Sequence, residues 1–498
     1  FIPEEQRDPV AAAELLRRLA FNGIEVHRLD AAITQDGVTH PAGTWAIRMD
    51  QEFGNFVRQL FEIQEYPDLR EYPEGPPDQP YDVAGWTLNE QMGVRVVAAS
   101  SPLSAETRAA FSPVVGEAIA WDADVADATA WDSPPGVGFD SHPVAVAIQP
   151  PAGSVSGGGS ALIVDAAQNN AFRAVNRAWA SGGRVSFLPG SPGEAGEPGS
   201  SGSYALSGVS GEAALVSDLA LQARRGSPGT PLRAPRVGLY RPWQPSMDEG
   251  WTRWTLERYD FDFTSLRNAD VLAGGLRDRY DVIVIADMST NQIVNGFRKG
   301  SVPPRYEGGL GAEGVRALDE FVRAGGTLVT LNRAAMFAVE ELHLPVENVV
   351  EGIPRNEYFQ SGSIVEMTVD PSHPVMSGMP SRARVVVGQS PAFTTTDGFE
   401  GSVLAKYQTD GTPLVSGYLL GEEHLAGTAT ALDVRHGDGR VVLLGMRPQW
   451  RGQPFGNFRI LFNAALYSAE VAAAAPVNPE FWVAPEPEEE AEPSGSPE

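Results

Sequence analysis

The stretch from Arg236 to Asp287 constrains this chain more than any other. It opens with the apolar run Val237-Gly238-Leu239-Tyr240 and closes with Val282-Ile283-Val284-Ile285. Short continuous runs of this kind, rich in β-branched residues, suit strands covered on both faces. Between them, Asp248 to Tyr259 is amphipathic and predicts a helix, with Trp251, Trp254 and Leu256 on one broad core-facing side. Asp248 and Glu249 fall in its first turn, where the helix dipole favours negative charge. Strand, helix and strand in this order predict a doubly wound α/β domain, whose ligands bind beyond the carboxyl ends of the strands. Here those ends lead into Arg241–Asp248 and into Asp287-Met288-Ser289.

The fold expected is α/β, with two small repeated modules before a doubly wound, flavodoxin-like domain and a disordered acidic tail. A chain of 498 residues exceeds one ordinary core, so several domains are expected. The first module spans residues 1–135, with a helix from Pro9, strands at Ile24–His27, Gly43–Met49 and Val94–Val97, and a Pro-rich ordered loop from Tyr66. The second spans 136–230, with a strand at Ala161–Asp165, a helix at Asn170–Ala180 and a strand at Val185–Phe187. Val26 answers Val185 and Trp45 answers Tyr204 at a constant offset of about 159 residues, the behaviour of an internal repeat. Ser154–Ser160 and Gly190–Gly202 read as flexible loops. The large domain covers 231–470, with strands at 236–240, 281–286, 327–331 and 441–446 and an antiparallel extension through Ser363–Val369 and Val385–Val387. Residues 471–498 turn to Ala, Pro and Glu and are expected to be a disordered acidic tail.

Composition narrows the function. The net charge of −27 argues against a nucleic-acid partner, which would need a basic surface. No apolar run reaches the roughly 18 residues of a membrane span. With no cysteine, the chain has no disulfide, no thiolate nucleophile and no Cys-ligated metal. Absence of cysteine fits an exported protein. The chain opens on Phe1 and reads as a piece of something longer.

The chain carries few motifs of catalytic chemistry. The seven histidines form no tight zinc spacing, so no metal ligand and no cofactor is assigned within this chain. The strand Thr327–Leu331 runs into Asn332-Arg333, a strand–turn–helix where an α/β hydrolase or amidotransferase places its nucleophile. Asn332 is not a usual nucleophile, so no catalytic residue is expected there and the turn reads as scaffold. Gly308–Gly314 lacks the lysine and hydroxyl of a phosphate loop. What remains is a set at strand ends and helix starts: Trp243, Asp248, Glu249, Arg253, Asp287, Asn332, Gln449 and Arg451. These residues either line a polar crevice for a small ligand or pack one domain on another.

Several segments carry a family resemblance. Tyr66-Pro67-Asp68-Leu69-Arg70, Pro80–Leu88, Gln91–Val94, Arg236–Tyr240 with Asp248–Arg253, and Arg447–Arg451 resemble the C-terminal accessory region of large bacterial zinc carboxypeptidases of the carboxypeptidase A-like family. The region from Arg236 to about Tyr467 is similar to class I glutamine amidotransferase-like domains. The resemblance implies a secreted or periplasmic, proteolysis-related protein whose zinc and catalytic residues lie in an upstream peptidase domain, the expected partner of this chain. The amidotransferase nucleophile is missing, because the chain has no cysteine. On this reading the chain is non-catalytic and supports or orients a hydrolase. It would also bind substrate peptide on that reading; the alternative is a free-standing protein that binds a carbohydrate or another small polar ligand in the strand-end crevice.

Overall fold

The computed structural model describes residues 1–67, 69–73, 75–117, 142–191, 201–474 and 478–485. It is a mixed α/β structure with several sheets, the largest of twelve strands. Among the described residues, no helix is long and apolar enough to cross a membrane.

The first helix, Pro9–Phe21, starts where Asp8 accepts hydrogen bonds from the Val10 and Ala11 N–H groups, with Pro9 pre-set for the first turn. Leu15, Leu16 and Leu19 are buried, and Gly23 turns the chain at φ +85°. Strand Val26–Leu29 then pairs antiparallel with Trp45–Ile47 and with Phe111–Pro113. The strand expected at Val94–Val97 does not form. Its N–H and C=O groups go elsewhere: Val97 exchanges two bonds with Phe1, and the Arg95 N–H is held by the Gln6 side chain. Extended backbone satisfied in this way needs no ladder.

The chain on either side of the Pro-rich loop is tied to the large domain. Ala84 and Gly85 donate to the carbonyls of Ser361 and Gly362, and Gly417 donates to the Gln64 carbonyl. Thr87 and the Gln64 backbone both bond the Ser416 hydroxyl. This brings Pro80–Val83 beside the strand ends of the large sheet.

In the second segment, the strands run Thr230–Leu232, Arg184–Leu188, Ser203–Ser207, Ala161–Asp165, Gln222–Gly226 and Ser154–Ser156 across one sheet. The expected loop at Ser154–Ser160 therefore begins as an edge strand, paired parallel to Gln222–Arg224. Most of the expected Gly190–Gly202 loop lies outside the described residues. Val26 faces Ile47 and Val185 faces Leu206, while Arg28 faces Trp45 and Phe187 faces Tyr204.

The large sheet carries five parallel strands in the order Phe263–Leu266, Val237–Tyr240, Val282–Ile285, Thr327–Leu331, Gly439–Leu444. By position in the chain this is second, first, third, fourth, fifth, the doubly wound order of flavodoxin-like sheets. Antiparallel strands Ala429–His436, Gly401–Lys406, Ser363–Val369 and Arg382–Val387 extend it, the last two pairing Ile364 with Val386. One buried cluster runs from Leu15 through Phe172 and Val284 to Phe462, so both N-terminal sheets share core with the large one.

Part of the stretch expected to be a disordered tail is structured. Ala469–Ala473 is helical, and Phe481 and Trp482 pack against the large domain. Lys406 donates to the Phe481 carbonyl and the Trp482 indole to the Gly427 carbonyl. Residues 486–498 lie outside the described residues.

Candidate functional site

Strand order reverses at Val237–Tyr240, so the chain leaves it in opposite directions on its two sides and a crevice opens at the carboxyl ends. Four strand ends deliver residues there: Arg241 to Gln244, Asp287, Asn332-Arg333 and Arg447.

Asp287 is the hub. It is 5% exposed and accepts from the Asn332 amide at 2.9 Å, from the Arg333 backbone and Nε at 3.1 and 2.9 Å, from Arg333 Nη2 at 2.7 Å and from Arg447 Nη2 at 2.9 Å. Burial pushes its carboxyl up. The Arg333 hydrogen bonds, the Arg447 and Arg333 charges and the Asn332 bond outweigh that and hold it below the usual carboxylate range.

Asn332 sits on the turn at φ +53°, the left-handed conformation that a nucleophile elbow imposes. Its side chain is fully engaged, donating to Asp287 and to the Gly388 carbonyl and accepting from the Ser390 hydroxyl at 2.6 Å. It is wholly buried. An amide so placed braces the turn and presents nothing to a substrate.

Helix Met247–Arg258 is capped by Ser246, whose hydroxyl accepts from the Glu249 N–H and donates to the Asp287 carbonyl. Its inward face is not the tryptophan face. Asp248, Glu249, Thr252, Thr255 and Leu256 are buried, whereas Trp251 and Trp254 are half-buried and pack edge to face on the turn at Gly452. Thr252 and Thr255 can face inward because their hydroxyls donate back to the Asp248 and Trp251 carbonyls.

Asp248 is 4% exposed and lies 3.9 Å from Arg447. Burial pushes its carboxyl up to about 6, Arg447 opposes this, and the Asp287 charge adds to it. Several buried polar atoms around this helix have no partner in the fold: Asp248 Oδ1, Glu249 Oε1, Gln449 Oε1, Gln244 Oε1 and Arg447 Nε. Native interiors seldom leave such atoms unpaired, and each one costs about 1–3 kcal/mol when nothing satisfies it.

Beside Asp287 and Asp248 opens a cleft of about 300 Å³. The Pro80–Val83 arm forms one wall and Gln360 to Gly362 another, with Phe359, Val387 and Trp450 supplying apolar surface. Arg355, Arg447 and Arg451 line it against a single acid, Asp82. In a chain with 64 acidic and 37 basic residues that balance is inverted, and it marks the cleft as a place for negative charge. Arg451 lies over the Trp450 ring at 4.5 Å and is 3.9 Å from Asp82. Arg355 lies over Phe359 at 4.7 Å.

The expected site residues therefore divide. Of these, Arg451 lines the cleft; Asp248 and Asp287 stand one layer behind it against Arg447, Asn332 behind Gly388, and Gln449 is bonded to Thr252 at 2.8 Å. Trp243, Glu249 and Arg253 belong to a separate group. Trp243 packs on Tyr306 at 4.7 Å and under Arg267 at 4.2 Å, while Glu249 meets Arg253 at 3.4 Å and Arg241 at 3.9 Å. Sequence reasoning missed Arg333, Arg355, Gln360 and, as a site residue, Arg447. Arg333 was signalled by its place after Asn332, whereas nothing local marks Arg355 and Gln360, which come from loops beyond the parallel strands. Among the described residues, no three His, Asp or Glu side chains gather as a metal-ligand set.

No protein-family model matches this chain, and no curated protein matches it. Solved structures share parts of it at low similarity. A cytoplasmic protein from Salmonella typhimurium is 14% identical over 47% of this chain and 98% of its own, with a TM-score of 0.32. A ThuA-like protein from Bacteroides uniformis is 15% identical over 48% of this chain and 94% of its own, at 0.29. A β-galactosidase from Bacillus circulans is 13% identical over 46% of this chain and 31% of its own, also at 0.29. At these scores the functional reading rests on the residues.

Proposed function

We propose that this chain is a non-catalytic accessory region whose strand-end cleft binds the carboxylate end of a peptide or a similar small anionic ligand. The observation that carries the reading is a spent elbow beside a cleft lined by three arginines and one acid. Asn332 occupies the nucleophile position with every hydrogen-bonding group used, while Arg355, Arg447 and Arg451 face a cavity rich in polar and aromatic surface. Guanidinium groups suit carboxylates, and Trp450 and Phe359 would hold the adjoining side chain.

Asp248 adds a pH dependence. Its carboxyl is neutral below about 6 and anionic above, so the cleft is more positive on the acid side while a peptide carboxylate stays ionised. Calorimetric titration with a short peptide bearing a free C-terminus is expected to show saturable binding, tighter at pH 5 than at pH 8 by roughly three- to tenfold. Asp248→Asn removes the pH dependence, and Arg451→Gln weakens binding roughly tenfold. Equal affinity at both pH values, or binding indifferent to Arg451, would sink the carboxylate assignment.

The parent reading follows the family resemblance. We place this chain downstream of a zinc carboxypeptidase-like domain in a secreted or periplasmic protein, with zinc held upstream. The large domain is then an amidotransferase-like scaffold without its nucleophile, and the two N-terminal segments are related modules. The shared register, Val26 on Ile47 and Val185 on Leu206, supports the repeat. Zinc content and peptidase turnover are expected only when the natural upstream segment is present, and zinc-dependent turnover by this chain alone would overturn the reading. A free-standing binding protein is the second reading, favoured by the unpartnered atoms Asp248 Oδ1 and Arg447 Nε.

A further inference from the structure

A second cleft, of about 300 Å³, lies between the N-terminal segment and the far edge of the large sheet. Its floor is a close backbone contact. Gly456 donates to the Gln91 carbonyl at 3.1 Å, and a Cβ on Gly93 would lie 3.0 Å from the Gly456 Cα. Its lining includes five arginines, Arg7, Arg95, Arg382, Arg384 and Arg459, against one carboxylate, Glu90.

Two of these cations are already accounted for. Arg382 and Arg384 pair with Glu366, and Arg384 also reaches Glu90 at 3.4 Å. Arg7 and Arg459 are different. Both donate to one oxygen, the Gly378 carbonyl, at 2.9 and 3.0 Å. Among the described residues, neither makes an ion pair within 4.0 Å. Arg459 is 3% exposed, and its Nε has no partner. Burial lowers its pKa, the Asp8 charge opposes and the Arg7 charge adds to the fall, for a net value of about 10. Asp8 is a buried carboxylate nearby, but its oxygens are taken by the Val10, Ala11 and Asn169 N–H groups. Asn457, 1% exposed, contributes a second unpartnered donor, Nδ2.

Arg459 also donates to the Phe455 carbonyl at 3.4 Å, so this buried guanidinium meets only neutral carbonyls while the exposed Arg7 shares one of them, a costly arrangement unless an anion completes it. We propose that this cleft is a second binding site, for a compact phosphate dianion held by Arg7, Arg459, Arg95 and the Asn457 amide. Asn89 Oδ1, an acceptor without a partner on the same wall, would receive a hydroxyl if the phosphate is carried on an alcohol.

The test is a calorimetric titration of the full chain at constant ionic strength, with inorganic phosphate in one arm and glycerol 1-phosphate in the other. One saturable equivalent per chain in either arm is expected, and tighter binding in the second arm identifies an ester as the natural ligand. Asn457→Ala and Arg7→Gln, at positions that leave the Arg459 bond to Gly378 in place, are each expected to weaken binding roughly tenfold. Circular dichroism confirms that both variants are folded. Arg451→Gln, in the other cleft, is expected to leave phosphate affinity unchanged, which separates the two sites. No saturable binding of either compound, or binding unaltered by both Asn457→Ala and Arg7→Gln, would overturn the proposal.

Discussion

Replacing Asp287 by alanine is expected to destabilise the chain by about 3 kcal/mol, the lower end of the range for breaking a buried ion pair. Asp287 carries the Arg333 and Arg447 guanidiniums and the Asn332 amide on its two oxygens. Its removal leaves Arg447, 16% exposed at its side chain, facing Asp248 alone at 3.9 Å. Arg333 is 37% exposed and recovers part of its hydration, which is why the lower end of the range applies. The loss also removes one of the three side-chain hydrogen bonds of Asn332, on a turn that already sits at positive φ. Urea denaturation of the variant checks the value. A loss below about 1 kcal/mol would mean that water replaces the carboxylate and that the hub is a surface feature.

Phe462→Ala is expected to cost about 3–5 kcal/mol. This ring is wholly buried on helix Phe458–Ala465, at 5.1 Å from Phe172, 4.7 Å from Tyr259 and 5.2 Å from Phe261. It joins the helix of the second segment to the large sheet, so the cavity opens where two parts of the chain meet. Thermal unfolding is expected to move to lower temperature and to lose cooperativity, with the second segment melting first. Phe462→Leu, which keeps most of the volume, is expected to recover more than half of the loss. A single sharp transition at the wild-type temperature would show that the segments are held by other contacts.

The parts of the fold that were legible in the sequence are those where burial dictates composition. Val282–Ile285 and Thr327–Leu331 are covered on both faces and read as apolar runs, so their strands and the helix between them could be placed. Phe263–Leu266 was not visible. It is an edge strand whose Phe263, Thr264 and Ser265 are partly or fully exposed, and four residues of mixed character carry little periodic signal. Val94–Val97 misled in the other direction, being strand-like in composition while its hydrogen bonds go to Phe1 and Gln6. Trp251 and Trp254 on helix Met247–Arg258 gave a partly misleading signal, since only Trp254 packs against the core and both are half-buried. Hydrophobicity placed them in the core, whereas the inward face needed side chains that could bond within the helix and reach the strand ends.

The cleft was legible by half. Doubly wound topology fixes where strand ends meet, which places Asp248, Asp287 and Asn332 near one another from the sequence alone. Trp243 was assigned to the same place because it follows the first strand, but Arg267 and Tyr306 hold it in a different group. Arg355 and the Pro80–Val83 wall arrive from segments remote in the sequence, and no local pattern marks which loop will fold over which strand end.

The measurement that bears most directly on the account is calorimetric titration of the intact chain with one peptide in two forms, free acid and C-terminal amide, at pH 5. The account predicts saturable binding of the acid and at least tenfold weaker binding of the amide, because only the acid presents a charge to Arg355, Arg447 and Arg451. Equal affinity for the two forms, or binding of neither, would contradict it.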